Sequence, residues 1–181
     1  MVYEKAIKGT CIRLRAVQID DAEFVIDIRN NKSKNQYIHE TSTDVNKQIA
    51  WISSQREREG DYYFIATNSG NRIGLISIYN IDLNNKEAEL GRWVSIGSPI
   101  ENVEMAMLMF EFAFDKLGLE SVFMMTMTDN SKVRHFWKSF GATIDGVYNK
   151  QGIELEREVC NKNDYYKIIR PKLVELMRFN S

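Results

Sequence analysis

The polar stretch of residues 29–39 contains side chains that could bind a phosphorylated or hydroxylated ligand. It begins with Arg29 and Asn30 and ends at His39, so it offers basic side chains and several amides but no carboxylate. Guanidinium and amide groups bond well to phosphate and hydroxyl oxygens, whereas a basic peptide would require acidic partners. Two alternatives are open: Arg29 could stabilise only a helix C-terminus, and His39 could be a surface loop residue.

Metal, disulfide and nucleic-acid chemistry have little support in this sequence. Cys11 and Cys160 are far apart and lack a Cys-x-x-Cys spacing, and His39 and His135 are isolated. These positions exclude a disulfide framework and predict that the protein binds no metal. The 24 basic and 25 acidic residues nearly balance, and no basic block marks a nucleic-acid surface.

The composition predicts one globular domain, residues 1–181, located in the cytoplasm. Hydrophobic residues make up 44% of the 181-residue chain, which is enough for one core. No apolar run is long enough to span a bilayer, and residues 1–5 lack the apolar region of a secretory signal. We therefore expect neither a membrane nor a nucleic acid as partner.

The elements that must position these residues alternate between strand and helix periods along the chain. β-rich runs predict strands, and apolar positions spaced by three and four residues predict helices. The predicted strands cover residues 11–17, 62–66, 72–81, 87–96, 121–128, 142–148 and 153–160, and the predicted helices cover residues 20–28, 44–60, 129–140 and 164–177. A further long helix contains residues 105–117 and ends at Gly118. We expect the last helix to kink or restart at Pro171. This order indicates an α+β or mixed α/β fold with helices on both faces of a sheet.

Three short motifs follow one another between residues 89 and 141. They are Glu89-Leu90-Gly91-Arg92-Trp93-Val94 on the fourth predicted strand, Ala113-Phe114-Asp115-Lys116-Leu117-Gly118-Leu119 at the end of the long helix, and Asn130-x-x-Val133-x-x-Phe136-Trp137-x-x-x-Gly141. In these motifs the chain resembles the GNAT superfamily of acyl-coenzyme A dependent N-acetyltransferases. Within it, the chain resembles the branch that acetylates ribosomal-protein N-termini and amino-sugar nucleotides.

The resemblance implies a GNAT fold, with a central, mostly antiparallel, twisted sheet of about seven strands in which strands 4 and 5 splay apart. It also implies transfer of an acetyl group from acetyl-coenzyme A, as co-substrate, to a primary amine by direct attack and without a metal. In this family the pantetheine amides pair with backbone groups exposed by the splay, and the pyrophosphate binds at the N-terminus of the next helix.

The resemblance also places coenzyme binding on particular residues of this chain. The expected coenzyme-binding residues are Val94, Ser95, Ile96, Gly97, Ser98, Ile100, Asn102, Val103, Asn130 and Phe136. Asn130 could cap its helix as well as contact the coenzyme.

Residues 97–102 depart from the family pattern, which supplies a basic residue or Gln and two glycines. In the interpretation that we favour, Asn102 caps the helix and residues 97–102 form a loop that holds the pyrophosphate. In the alternative, Ser98 and Glu101 form a capping box with Pro99 at the first helical position. That capping box would use backbone donors that a pyrophosphate needs.

Two positions bear on proton transfer. Glu89 is the candidate general base, because many family members carry a carboxylate on this strand that draws a proton from the attacking ammonium. The alternative is a carboxylate on the sheet surface that pairs with Arg92 or Lys86. Trp137 stands where many relatives have the Tyr that protonates the leaving thiolate. Because an indole does not act as an acid there, the role is open, with Tyr148 or water as candidates.

The acceptor is predicted to be a small-molecule amine. The first half of the chain resembles acetyltransferases that act on 4-amino-sugar nucleotides, through Arg29-Asn30, Tyr37, Trp51-Ile52 and Tyr63-Phe64-Ile65, so we expect an amino-sugar nucleotide. Arg29, His39 and Tyr79 are the expected substrate-binding residues. N-terminal acetylation of a ribosomal protein is the enzymatic alternative, and a non-catalytic acyl-coenzyme A binding module is the alternative from a different class. A homodimer is one option for the oligomeric state.

Overall fold

The structure is a computed structural model that describes residues 2–31, 33, 36–38 and 40–179. Its strands are β1 (Ile7–Lys8), β2 (Arg13–Ala16), β3 (Tyr62–Asn68), β4 (Asn71–Asp82), β5 (Glu87–Ser95), β6 (Ser121–Met127), β7 (Thr143–Lys150) and β8 (Ile153–Asn161). They form one mostly antiparallel sheet in the order β1-β2-β3-β4-β5-β6-β8-β7. The predicted fold class is confirmed, with one strand more than expected because the short β1 pairs with β2.

The helices also follow the prediction. They are α1 (Ala22–Arg29), α2 (Val45–Glu57), α3 (Pro99–Glu111), α4 (Ser131–Ser139), α5 (Lys162–Asp164) and α6 (Arg170–Phe179). A π-helical turn, Phe112–Lys116, extends α3, and a second one, Tyr165–Ile169, joins α5 to α6. The helical run continues through Pro171, where a kink or restart was predicted, and its hydrogen-bond pattern changes from π to α at Arg170. Among the described residues, no helix has the length and apolarity needed to cross a bilayer.

The chain divides into two compact units. The first unit contains Met1–Tyr79 and Arg92–Leu108, and the second contains Asn80–Gly91 and Met109–Ser181. The single domain predicted from composition stays a prediction.

The core of the first unit holds α1 and α2 against the sheet. α1 buries the apolar positions predicted for it, among them Val25 and Ile28. These side chains pack in one cluster with Ile52 of α2 and with Ile65 and Leu75 of β3 and β4. Because burying each such side chain contributes about 1.5–3 kcal/mol, this cluster holds α1 and α2 on the sheet.

The second unit shows the splay that the resemblance implies. β5 pairs in parallel with β6 through the registers Glu87 with Ser121 and Glu89 with Phe123. β6 then continues to Met127 paired with β8. Among the described residues, the parallel pairing ends at Glu89, as expected for strands that part from one another.

An aromatic cluster forms much of the interior of the second unit. Phe110 stacks on Phe140 at 5.5 Å and on Tyr165 at 5.3 Å between ring centroids. Trp137 packs edge-on against Phe110 at 6.2 Å. These contacts tie α3, α4 and the turn after α5 into one packed core.

Candidate active site

A cavity of about 310 Å³ lies in the first unit. It is lined by α1, the loop before α2, α2 itself, β3 and β5, through Val25, Arg29, Thr41, Ser42, Lys47, Gln48, Trp51, Tyr63 and Arg92. Three of these residues are cations, and no carboxylate is among the described lining residues. The volume is that of a small-molecule site, and the charges favour an anionic ligand.

Arg29 reaches this cavity because it is the last residue of α1, whose apolar face is buried. Its side chain also hydrogen-bonds Tyr63. Arg29 therefore lines a cavity, and its role in substrate binding stays a prediction. His39, the second residue expected to bind substrate, lies outside the described residues.

Asn30 closes the loop that follows α1. Its Nδ2 donates to the Thr41 carbonyl at 3.0 Å, and the Thr41 N–H donates to Asn30 Oδ1 at 2.9 Å. This reciprocal pair holds the two ends of the loop together and places Thr41 and Ser42 at the cavity wall. Asn30 itself is not among the lining residues, so its amide positions the loop and does not face a ligand.

α2 supplies a second side of the cavity and begins where the sequence predicts. The Asp44 carboxylate caps it by accepting the backbone N–H groups of Asn46 at 2.9 Å and of Lys47 at 3.3 Å. Residues four apart lie on one helix face, so Lys47 and Trp51 both line the cavity. The Trp51 ring packs edge-on against the Tyr63 ring with centroids 5.6 Å apart.

Tyr63 forms the β3 wall and carries a neutral hydroxyl. Burial raises its pKa to about 12, although the neighbouring cations Arg29 and Arg92 act in the opposite direction. The phenol therefore keeps its proton at neutral pH and cannot serve there as a general base.

Arg92 enters the cavity from β5 with an unusual backbone. Its φ is 48°, which is left-handed although the residue has a side chain. Its Nη1 pairs with Asp61 Oδ1 at 2.6 Å, and its guanidinium lies 4.1 Å from the Tyr79 ring centroid. Tyr79, the third residue expected to bind substrate, contacts Arg92 but is not among the lining residues. Arg92 was expected as an alternative partner for Glu89. In the structure it pairs with Asp61.

Glu89 lies in the second unit on the part of β5 that pairs with β6. The carboxylate is half-buried, and Asn80 Nδ2 donates to its Oε2 at 2.8 Å. Asn80 has a left-handed φ of 51°, so the end of β4 turns there and presents its amide to Glu89. This geometry is compatible with a general base, and that role stays a prediction.

The N-terminus of α3 contradicts the interpretation that we favoured. α3 begins at Pro99, and the capping box is present: Ser98 N–H donates to Glu101 Oε2 at 2.7 Å, and Glu101 N–H donates to Ser98 Oγ at 3.4 Å. Asn102 N–H bonds the Ser98 carbonyl at 3.0 Å inside the helix. A later start with Asn102 as cap is therefore wrong, because the Glu101 carboxylate satisfies the exposed donor earlier.

The other expected coenzyme residues of the first unit lie around this helix start. Gly97 N–H donates to Ser95 Oγ at 2.9 Å, and Asn102 Nδ2 donates to the Gly97 carbonyl at 3.3 Å. Asn102 Oδ1 is buried and has no hydrogen-bond partner among the described residues. The Glu101 charge opposes a pyrophosphate at the same helix end.

The remaining expected coenzyme residues belong to α4 in the second unit. Asn130 caps α4 by accepting the Val133 N–H at 3.3 Å. Phe136 is half-buried and packs edge-on against Trp137 with centroids 5.0 Å apart. Trp137 is buried in the aromatic core, so its role is packing. Among the described residues, no group of three or more His, Cys, Asp or Glu side chains could hold a metal ion.

Four cavity or cavity-supporting residues have no cavity role predicted from the sequence: Lys47, Trp51, Asp61 and Arg92. The first two could have been found from the Asp44 cap, which fixes the face of α2 on which they lie. The pairing of Asp61 with Arg92 joins residues 31 positions apart, so no local pattern reports it.

Comparison with known families gives one match that covers most of the chain. The model of the acetyltransferase (GNAT) domain matches residues 12–143. No curated protein matches the chain significantly.

Several solved structures are similar over nearly the whole chain. FdhC in its apo form, a nucleotide-linked sugar GNAT, is 28% identical with a TM-score of 0.80, covering 96% of this chain and 98% of its own. A spermidine N-acetyltransferase from Vibrio cholerae is 16% identical with a TM-score of 0.74, covering 88% and 98%. A GCN5-related N-acetyltransferase from Brucella melitensis is 15% identical with a TM-score of 0.82, covering 96% and 86%. The two less identical structures show a likeness of fold alone.

Proposed function

The chain belongs to the GNAT family of N-acetyltransferases, and we propose that it acetylates the amino group of a negatively charged small molecule, an amino-sugar nucleotide. The family match supports acetyl transfer from acetyl-coenzyme A to an amine. Its structural neighbours act on chemically opposite acceptors, a nucleotide-linked sugar in one case and the polycation spermidine in another. The choice between these acceptor classes is therefore a question of charge.

The charge of the first-unit cavity is the observation that carries the proposal. Arg29, Lys47 and Arg92 line it, and no carboxylate is among the described lining residues. Two like charges about 6 Å apart repel by roughly 1–3 kcal/mol at the dielectric constants of a protein surface and of water. A polyamine would meet this cost repeatedly, whereas the phosphates of a sugar nucleotide would be attracted. The hydroxyl groups of Thr41 and Ser42 suit the sugar and ribose.

The residues proposed for chemistry act on the acceptor amine. An ammonium has no lone pair, so a base must take one proton before the nitrogen attacks the acyl carbon. In this proposal Glu89 accepts that proton, and the Asn80 amide, 2.8 Å away, orients the carboxylate. Acetyl-coenzyme A supplies an acyl group activated as a thioester. Because Trp137 is buried and has no acidic proton, Tyr148 and water stay the candidates that protonate the thiolate.

Two other functions compete with this proposal. N-terminal acetylation of a ribosomal protein would bring a basic peptide to the cavity, and its cations disfavour that acceptor. A non-catalytic acyl-coenzyme A binding module is the second competitor, since Glu101 opposes the pyrophosphate and Trp137 replaces the usual acid. A homodimer and a cytoplasmic location stay predictions.

A panel of acceptors tests the proposal. Purified protein is incubated with acetyl-coenzyme A and, in parallel, with uridine- and thymidine-diphosphate amino sugars, spermidine, and peptides that begin with Ser or Ala. Products are identified by mass spectrometry. We expect kcat/KM for the best amino-sugar nucleotide to exceed that for the other acceptors by about tenfold or more, because a hydrogen bond to a charged group contributes about 1.5–3 kcal/mol and about 1.4 kcal/mol is tenfold. Faster turnover of spermidine or of the peptides than of the amino-sugar nucleotides would contradict the proposed acceptor. Coenzyme binding with no product from any amine would support the non-catalytic module.

A further inference from the structure

We infer that Arg92 is a residue that selects an anionic acceptor and that Asp61 is its positioning residue. This inference rests on the proposed function and names the side chains that determine its acceptor specificity. In this inference Arg92 is a fixed cation in the first-unit cavity, and it binds the phosphate groups of the acceptor.

The backbone at Arg92 is the first observation. The residue lies inside β5, yet its φ is 48°. Residues with a side chain avoid this left-handed conformation, and it persists where the surrounding structure fixes it. A residue in an extended strand would direct its side chain to one of the two faces of the sheet. The left-handed turn at Arg92 breaks that alternation.

The contacts of the guanidinium are the second observation. Nη1 of Arg92 donates to Asp61 Oδ1 at 2.6 Å. The guanidinium also lies 4.1 Å from the centroid of the Tyr79 ring and 5.6 Å from that of Trp51. One ion pair and two aromatic rings therefore fix the long side chain in one orientation, and little conformational entropy is lost when it binds an anion.

The Asp61 carboxylate is itself held from the interior. Gln55, which is 2% exposed, donates from Nε2 to Asp61 Oδ1 at 3.1 Å and to the Asp61 carbonyl at 2.7 Å. A chain of hydrogen bonds thus runs from buried Gln55 through Asp61 to Arg92 at the cavity. A carboxylate that only balanced surface charge would not need this support.

The chemistry of the pair fits a diphosphate. A guanidinium is planar and has five N–H donors, so it can bond a carboxylate through one edge and an anion through another. Asp61 offsets one of the three cavity cations and leaves an excess of two positive charges. Each phosphate of a diphosphate linkage carries about one negative charge, which matches this excess.

Two variants separate positioning from simple electrostatics. Asp61→Asn makes the site more positive, so long-range attraction alone predicts a lower KM for the anionic acceptor. If Asp61 instead orients Arg92, the acceptor KM rises. We expect a rise of about fivefold for Asp61→Asn and of at least about tenfold for Arg92→Asn, since Asn tolerates the left-handed backbone and removes the cation. The KM for acetyl-coenzyme A should stay within about twofold of the parent value.

Arg58→Lys is the matched control. In the parent, Nη1 of Arg58 lies 4.0 Å from Asp61 Oδ2, but Arg58 does not line the cavity. The acceptor KM should therefore not change in this variant. Thermal unfolding of every variant, and calorimetric binding of uridine diphosphate alone, show whether a loss reflects the site or the fold. Weaker binding of this probe by Arg92→Asn, with an unfolding midpoint close to that of the parent, is the expected result.

The outcomes distinguish the inference from the proposed function. Acetylation of an amino-sugar nucleotide by the parent enzyme, with the acceptor KM unchanged in Arg92→Asn, would overturn the inference and leave the function standing. A lower acceptor KM in Asp61→Asn would remove the positioning role of Asp61. If the parent acetylates no amino-sugar nucleotide at all, the proposed function fails and the inference fails with it.

Discussion

The carboxylate of Glu101 accepts the backbone N–H of Ser98 at 2.7 Å, in the first turn of α3. Its other oxygen accepts from Asn68 Nδ2 at 2.6 Å. The bonds from Asn68 and Ser98 hold the pKa of Glu101 below its usual range, so this group is charged at neutral pH. An anion that approaches this helix N-terminus therefore meets a negative charge already bound there.

Glu101→Gln should strengthen the binding of acetyl-coenzyme A. The substitution keeps an oxygen for the Ser98 N–H but removes the charge that repels a pyrophosphate. Charges at a helix terminus are worth about 0.3–1 kcal/mol, so we expect the dissociation constant to fall by about two- to fivefold at low salt. Calorimetric titration measures it, with the exposed Glu59→Gln as control. Unchanged or weaker binding would show that the coenzyme does not approach this helix end.

Glu89→Gln should reduce turnover by about 100-fold at neutral pH, within the usual range for loss of a general base. The amide keeps the size of the side chain and its contact with Asn80 but cannot take a proton as a carboxylate does. Activity should recover in part at higher pH, because more of the acceptor is then a free amine. Steady-state rates across that pH range are the measurement. Turnover within about threefold of the parent would make Glu89 a sheet-surface carboxylate.

Arg29→Ala should raise the KM of the acceptor by about tenfold and leave that of acetyl-coenzyme A nearly unchanged. A charge-assisted contact with phosphate is lost, whereas the loss of the bond to Tyr63 affects the cavity wall alone. Initial rates with each substrate varied in turn provide both constants. An equal rise in the two constants would mean that Arg29 supports the fold and does not select the acceptor.

Glu104→Gln should lower the free energy of unfolding by about 2–4 kcal/mol. The buried carboxylate accepts backbone N–H groups from Thr10, from Cys11 at 2.9 Å and from Ile12 at 2.9 Å, and so ties α3 to the turn before β2. A neutral amide weakens these charge-assisted bonds, and its own N–H groups then face the backbone N–H donors. Urea denaturation monitored by circular dichroism measures the change. A loss below about 0.5 kcal/mol would mean that water replaces these bonds.

Glu158→Gln should stabilise the protein at neutral pH and not at acidic pH. Burial raises the pKa of Glu158, and its Oε2 has no partner among the described residues. Between the unfolded and folded pKa values the folded chain binds more protons, so parental stability falls as pH rises through that window. The variant lacks this dependence, and its advantage should grow from about pH 4 to pH 7. Thermal unfolding tests this, with the exposed Glu154→Gln as control; a constant difference at all pH values would contradict it.

Most of the strands and helices were predictable because they have a periodic pattern, and some have a local start signal. Asp44 before α2 is an example, since its carboxylate bonds the N–H groups of the residues that follow it. β1 could not be predicted, because two residues show no alternation and their pairing depends on β2. The start of α3 was missed where the family pattern was preferred to the local capping box of Ser98 and Glu101.

The candidate site was less predictable than the fold. Arg29 could be found because it ends a helix whose apolar face is visible in the sequence. The pair of Asp61 and Arg92 depends on a contact between strands, and the support from Gln55 depends on how α2 ends. Such relationships arise only after the elements have packed, so a single sequence carries no direct signal of them.

If Arg92 selects the acceptor as proposed, its left-handed φ limits how acceptor specificity can change during evolution. Gly, Asn and Asp adopt this backbone most readily, whereas β-branched residues would distort the strand. Loss of the cation without loss of the fold is therefore confined to a few residue types. A homologous sequence with Gly or Asn at this position, and with Asp61 replaced as well, would mark a lineage that has moved to a different class of acceptor.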